Sequence, residues 1–137
     1  MIYSFDFSRF FNDYIYVPGA SASSSLKKLL PALLKYSPFL KEKYQKPIYG
    51  TDIMPSHNFK NKVWYIEKNN SVKSPYELLD EDKNVNDGGE AIIAFDQLQQ
   101  KDLDNQEREK LEKQLKKYCE LDTLGMVMAF EAIKSNL

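Results

Sequence analysis

The C-terminal third of the chain carries a helical pattern that places an acid among apolar side chains. A stripe of mostly apolar residues recurs every three or four positions and includes one acid, at Leu111, Leu115, Tyr118, Asp122, Met126, Ala129 and Ile133. This spacing predicts one face of a helix of about 30 residues, which is long enough to allow a bend near Lys117 or Gly125. From residue 121 to 133 the other positions are also mostly apolar. A helix that is apolar all round is buried, so we expect this half of the helix to be covered on every side.

Asp122 lies in the middle of that stripe and therefore needs a compensating partner. A buried carboxylate without one is strongly disfavoured. The residues leave three partners open: a bound metal ion, an Arg or Lys side chain, or backbone N–H groups. The Tyr-x-x-x-Asp spacing of Tyr118 and Asp122 does not choose among them, because the chain holds a second match from Tyr76 to Asp80.

Size, charge and cysteine content limit the class of protein. The chain has 137 residues, 42% of them hydrophobic, as expected for one globular domain. A net charge of −1 gives no general attraction to nucleic acid or membranes, so any phosphate contact must be local. No apolar run approaches membrane-spanning length. The single cysteine, Cys119, excludes an internal disulfide and fits a reducing, cytoplasmic location, and its place in the apolar helix favours a packing role.

Local patterns predict several further elements. A strand is expected at 2–7, a helix at 26–34 with a kink or restart at Pro31, helical turns at 39–44, a short strand at 63–66, a turn at 75–79 and a helix at 91–98. Residues 51–87 are the least regular part of the chain and are interpreted as an insertion.

Three further positions carry site predictions. Lys27 and Lys28 follow a serine run and lie where a helix N-terminus favours phosphate, although a solvated first turn is the more usual explanation for such lysines. Gly125 is costly in a helix interior, so it is expected to let a strand or a ligand approach closely. The sole histidine, His57, excludes multi-histidine zinc sites and is expected to be solvated.

The segment Tyr118-Cys119-Glu120-Leu121-Asp122-Thr123 resembles the third exonuclease motif of the DEDD superfamily. Members of that superfamily are 3′–5′ exonucleases with an RNase H-like (DnaQ-like) fold. In the tyrosine subclass the aspartate of this motif binds a catalytic divalent metal, and the tyrosine orients the attacking water. The resemblance therefore implies that Asp122 is a metal ligand and that Tyr118 is catalytic.

A narrower resemblance covers most of the chain in order. It is carried by SSLKKLLPA at 24–32, EKY at 42–44, KPIYG at 46–50, DGGEA at 87–91 and YCELDTLGMV at 118–127. These segments are similar to an uncharacterised bacterial domain family that is predicted to be DEDD-like and often follows a RecB-like nuclease region. The resemblance implies an α/β fold in which residues 1–137 form the C-terminal half of an RNase H-like exonuclease domain, mostly helical with one or a few strands.

The chain departs from the DEDD pattern in its acidic motifs. DEDD enzymes also need a first motif, Asp-x-Glu on an opening strand, and a second acidic motif on a following helix, and neither is found before the segment that resembles the third. No Asp-x-Glu falls on the early strand, and Asp6 resembles the strand aspartate that follows the second motif. Asp6 is thus expected near the site, without a metal role. The resemblance implies chemistry with two divalent ions. Because one carboxylate does not hold both, the isolated chain is predicted to be inactive.

In a complete site the resemblance implies metal-assisted phosphodiester hydrolysis with Mg²⁺ or Mn²⁺, with the upstream part of the same protein and DNA or RNA as partners. Glu120 points about 160° away from Asp122 on a helix and is expected to be solvated or paired with Lys116 or Lys117. The competing hypothesis is a non-catalytic nucleic-acid-binding or interaction module of degenerate RNase H-like fold. In either case an exposed half-sheet edge favours a homo-oligomer.

Overall fold

The computed structural model describes residues 26–79, 85 and 88–135. The described chain is mostly helical with one small antiparallel sheet. Its elements are α1 (Leu26–Tyr36), α2 (Pro38–Tyr44), β1 (Glu67–Lys68), β2 (Ser71–Val72), a 3-10 helix (Pro75–Leu78), α3 (Gly88–Leu98) and α4 (Asn105–Lys134). The strand predicted at 2–7, with Asp6, and the second-match aspartate Asp80 lie outside the described residues.

Helices α1 and α2 form where the leucine spacing at 26–34 and the helical turns expected at 39–44 predict them. Pro31 lies inside α1 without ending it, and the helix continues to Tyr36. Ser37 then caps α2, because its side-chain oxygen accepts a hydrogen bond of 3.3 Å from the Leu40 N–H, and Pro38 occupies the first turn. The face of α1 that enters the core consists of Leu29, Leu30, Ala32, Leu33 and Leu34.

The strand predicted at 63–66 is not a strand. The N–H groups of Trp64 and Tyr65 both donate to the Tyr44 carbonyl oxygen, at 3.0 Å, so this part of the segment closes the end of α2. At its other end the Ile66 carbonyl oxygen accepts a hydrogen bond of 2.9 Å from the Lys73 N–H, next to the hairpin that follows. The antiparallel pair lies immediately after it, with Glu67 opposite Val72. Its turn residues, Asn69 and Asn70, both have positive φ, as the tight two-residue turns of hairpins require.

Helix α4 has 30 residues, the length predicted, in one continuous helix, but its second half is buried on one side only. Met126, Val127 and Phe130 are 43%, 41% and 57% exposed, so the expectation of burial all round was wrong. Helices α1 and α2 and the 3-10 helix all contact α4. The side that is covered consists of Leu121, Leu124, Gly125, Met128, Ala129 and Ala132. No helix in the described part of the chain is both long and apolar enough to cross a membrane.

Gly125 lets helix α1 approach α4. A Cβ atom at this position would lie 3.1 Å from Leu30 Cδ1 and 3.4 Å from Leu26 Cδ1. The close neighbour is therefore a helix, and the predicted strand or ligand is not what this glycine accommodates among the described residues. Its position fixes α1 against the part of α4 that carries Asp122.

Candidate functional site

Asp122 is half-buried on α4, and its described partner is a tyrosine. The hydroxyl of Tyr76, a buried residue of the 3-10 helix, donates a hydrogen bond to Asp122 Oδ1. Burial raises the pKa of Asp122 above its usual range, and the hydrogen bond from Tyr76 opposes that rise only in part. Burial, together with the nearby carboxylate, also raises the pKa of Tyr76. The phenol therefore remains a donor at any ordinary pH.

Tyr118 joins this pair from one turn earlier on α4. Its ring contacts the Tyr76 ring with centroids 5.7 Å apart and planes inclined by 52°. Its hydroxyl lies near the first residue of α3, because a Cβ atom on Gly88 would be 3.8 Å from that oxygen. The structure thus brings Tyr118 and Asp122 together, as the shared helical face predicted. It adds Tyr76, which reaches them from the 3-10 helix.

Glu120 is neither solvated nor paired with Lys116 or Lys117, so that expectation was wrong. It accepts hydrogen bonds from the Tyr49 hydroxyl at 2.6 Å, from the Ser56 hydroxyl and from the Asn58 amide. Burial acts to raise the pKa of Glu120, but these three hydrogen bonds outweigh it and hold the pKa below its usual range. Glu120 therefore fastens the irregular 49–59 segment to α4.

A third carboxylate on α4 is engaged in the same way. Glu131 accepts a hydrogen bond of 2.9 Å from the Tyr44 hydroxyl and forms an ion pair of 2.5 Å with Lys43. The tyrosine–carboxylate pairs Tyr44–Glu131, Tyr49–Glu120 and Tyr76–Asp122 each join a separate segment to this one helix. The shared pattern indicates that each bond, including the one at Asp122, contributes to the assembly of the fold.

Other predicted site residues lie apart from this cluster. Lys27 and Lys28 are exposed on the first turn of α1, and the Lys27 carbonyl oxygen accepts a hydrogen bond of 3.3 Å from the Ser74 hydroxyl. Cys119 is exposed, so its predicted packing role was wrong. Partial burial and the Asp122 carboxylate raise the pKa of the Cys119 thiol, which keeps it protonated at neutral pH. His57 is exposed, as expected.

The described residues do not form a metal site by themselves. Among them, no group of three or more His, Cys, Asp or Glu side chains is placed to hold an ion. Asp122 contributes one carboxylate, and one of its oxygens accepts the Tyr76 hydrogen bond. An ion at this position would need further ligands from residues outside the described ranges.

Sequence reasoning missed Tyr76 and the three donors to Glu120. Tyr76 begins the second Tyr-x-x-x-Asp match, and its hydroxyl binds the aspartate of the first. The burial of Tyr76 indicates that its hydroxyl has an acceptor, because a buried phenol needs a hydrogen-bond partner. Nothing in the local sequence says which acid that acceptor is.

Comparison with protein-family models, with curated proteins and with solved structures found no match to this chain.

Proposed function

We propose that the full-length protein is a metal-dependent 3′–5′ exonuclease and that this chain supplies one corner of its active site. The observation that supports this proposal is the half-buried Asp122 carboxylate beside Tyr118 on α4. Burial disfavours the negative charge there, and the one described hydrogen bond does not offset that effect. A cation beside the carboxylate would favour the ionised form, which is the arrangement that a metal ligand needs.

The roles within this chain are limited to two residues. Asp122 is the proposed ligand, and Tyr118 is the proposed orienting group through its hydroxyl. Bound Mg²⁺ or Mn²⁺ would supply charge stabilisation for phosphodiester hydrolysis. Because the described residues alone do not form a metal site, the remaining carboxylates are proposed to come from the upstream part of the same protein. The isolated chain is then inactive.

The substrate in this proposal is DNA or RNA in the cytoplasm. Exposed Lys28 and Lys35 border a shallow groove of ≈ 200 Å³ between α1 and the hairpin residues 70–72, next to Tyr36. Such a surface offers local positive charge in a chain whose net charge is close to zero. Lys28 is therefore proposed as a secondary phosphate contact outside the chemical step, and Lys27, exposed beside it on the first turn of α1, is proposed with it.

The test is degradation of 3′-labelled single-stranded DNA and RNA by the longer protein in the presence of Mg²⁺ or Mn²⁺. Asp122→Asn is expected to reduce the rate by about 100-fold or more, since it removes a charged metal ligand. Asp102→Asn is the matched control, because this exposed residue lies in the turn before α4. Activity that survives in Asp122→Asn would overturn the assignment of Asp122 as a ligand.

A non-catalytic binding or interaction module is the second candidate, and one observation favours it. The acids at 120 and 122 both accept tyrosine hydrogen bonds that hold segments of the fold together, which is a sufficient structural role for each. Two results would select this candidate: absence of acidic motifs upstream of Met1, and retention of labelled single strands without shortening of their 3′ ends.

A further inference from the structure

The second half of α4 exposes one side that carries no charge. Between Lys116 and Lys134 the exposed residues of this helix are Cys119, Thr123, Met126, Val127 and Phe130. Their spacing of three and four places them on one side of the helix, which we call the α4 uncharged face. The first half of α4 instead exposes charged residues such as Glu109 and Lys113, as expected for a helix side in water. A helix side without charge, three of whose residues are large and apolar, marks an interaction surface.

The chain before α1 joins the described structure level with this face. Leu26, the first residue of α1, lies against Gly125, because a Cβ atom on Gly125 would be 3.4 Å from Leu26 Cδ1. The 25 residues before Leu26 therefore start one position from Met126 along α4. Extended, they span up to about 80 Å, whereas a helix is only about 10 Å across. The segment is long enough to pass around α4 and reach its uncharged face.

That segment carries many large apolar side chains. Ten of the sixteen residues at 2–17 are Ile, Val, Phe or Tyr. In the strand predicted at 2–7, Tyr3, Phe5 and Phe7 alternate with other residues and so share one side. The two described strands have two residues each, so they are too short to pair with a six-residue strand along its length. The aromatic side of the predicted strand therefore needs an apolar surface elsewhere.

We propose that residues 2–17 pack on the α4 uncharged face of the same chain, with the aromatic side of the predicted strand against Phe130. The charges agree with this arrangement, because the segment holds Asp6 and Asp13 and the face is bounded by Lys116 and Lys134. Since both surfaces belong to one chain, their contact loses none of the translational freedom that limits small interfaces between molecules.

The exposed apolar side chains of α3 fit this segment less well. Asp96 is exposed next to Phe95 in that helix. Ala94 of α3 and Leu111 of α4 line one cavity, so α3 lies about 14 positions before Gly125 on α4, or about 21 Å from it. Charge and distance therefore both favour the α4 uncharged face. The proposal also stands apart from the nuclease activity, because its contacts include neither Tyr118 nor Asp122.

Photo-cross-linking of the full chain tests the proposal. The photoreactive residue p-benzoylphenylalanine, in place of Phe130, should cross-link to peptides within residues 2–17 of the same molecule, as identified by mass spectrometry of the monomer. The same residue in place of Phe95 is the matched control, because Phe95 is 59% and Phe130 57% exposed. No cross-link from position 95 to residues 2–17 is expected.

Thermal unfolding gives a second measurement that needs no photoreactive group. Phe95→Ser should shift the Tm by less than about 2 °C, as for a side chain on an open surface. Phe130→Ser should lower the Tm by about 5 °C or more, because it removes a covered aromatic ring. Phe5→Ser should also lower the Tm, and the double variant should lose less than the sum of the two, since both rings take part in one contact.

Three results would overturn the proposal. The first is a cross-link from position 130 that joins only different molecules in a mixture of isotope-labelled and unlabelled chain, which would make a second copy the occupant. The second is a folded chain in which position 130 gives no cross-link to residues 2–17, or in which position 95 gives the same one. The third is an equal Tm shift in Phe130→Ser and Phe95→Ser.

Discussion

The Tyr76 hydroxyl donates a hydrogen bond to the Asp122 carboxylate across 46 positions of the chain. The bond joins the 3-10 helix to the long helix α4 and places a neutral donor beside a half-buried acid. Because burial raises the pKa of both groups, the pair tolerates the interior better as phenol and carboxyl than as two charges. This relationship makes Tyr76 the residue through which the environment of Asp122 is most directly tested.

Tyr76→Phe is expected to destabilise the chain by about 1–2 kcal/mol at neutral pH, since it leaves a half-buried carboxylate without its donor. The sole tryptophan, Trp64, is fully buried, so urea denaturation followed by its fluorescence reports the loss. Tyr36→Phe is the matched control, because Tyr36 is 43% exposed and should change stability by less than about 0.5 kcal/mol. Equal effects of the two variants would show that the Tyr76 bond is dispensable.

The free energy of unfolding of Asp122→Asn should increase relative to that of wild type as the pH rises. The folded-state pKa of Asp122 lies above its unfolded value of about 3.9. The stabilisation that the protonated carboxyl gives the fold is therefore fully present below that pH and is lost as the pH rises through the folded pKa. The asparagine does not ionise and avoids this loss. Denaturation at pH values from about 3 to about 7 measures the difference. If the variant instead becomes less stable than wild type as the pH rises, the ionised carboxylate has a positively charged partner outside the described contacts.

Glu120 should make the stability of the fold depend on pH in the opposite sense to Asp122, and Glu120→Gln should remove that dependence. The folded-state pKa of Glu120 lies below its unfolded value of about 4.3, so its contribution is present above that pH and is lost on acidification through the folded pKa. We expect the variant to cost about 1–3 kcal/mol at pH 7 and to lose less stability than wild type in acid. Glu112→Gln, at an exposed position of the same helix, is the control and should follow the wild-type acid profile.

Gly50→Ala should be among the most damaging single substitutions in the 49–59 segment. Gly50 has φ +83°, and an added Cβ would lie 2.1 Å from the Phe59 carbonyl oxygen, so both strain and a backbone clash result. We expect a loss of more than about 3 kcal/mol in thermal or urea unfolding. Asn70→Ala separates strain from clash. Asn70 also has a positive φ, 60°, but is exposed, so its substitution brings the strain alone. A similar small loss in both variants would mean that the segment shifts to relieve the clash.

The sequence by itself determined the helices and the residues that share a helical face. Leucine spacing and the short helical pattern at 39–44 place α1 and α2, and the stripe through Tyr118 and Asp122 predicts the length of α4. These features depend on neighbours within one or two turns, so a local pattern contains them. The strand predicted at 63–66 shows the limit, because Trp64 and Tyr65 have strand-like side chains but their N–H groups bond to the end of α2.

Only the tertiary structure decided which groups meet across the chain. The partner of Asp122 comes from 46 positions away and the Tyr49 donor to Glu120 from 71, separations that no periodicity encodes. The same holds for burial. The apolar residues of α3, and Phe130 on α4, match a buried helix in composition, yet the other described elements pack on one side of α4 and leave them exposed. Composition sets how much apolar surface a helix has, whereas packing of distant segments sets how much of it is covered.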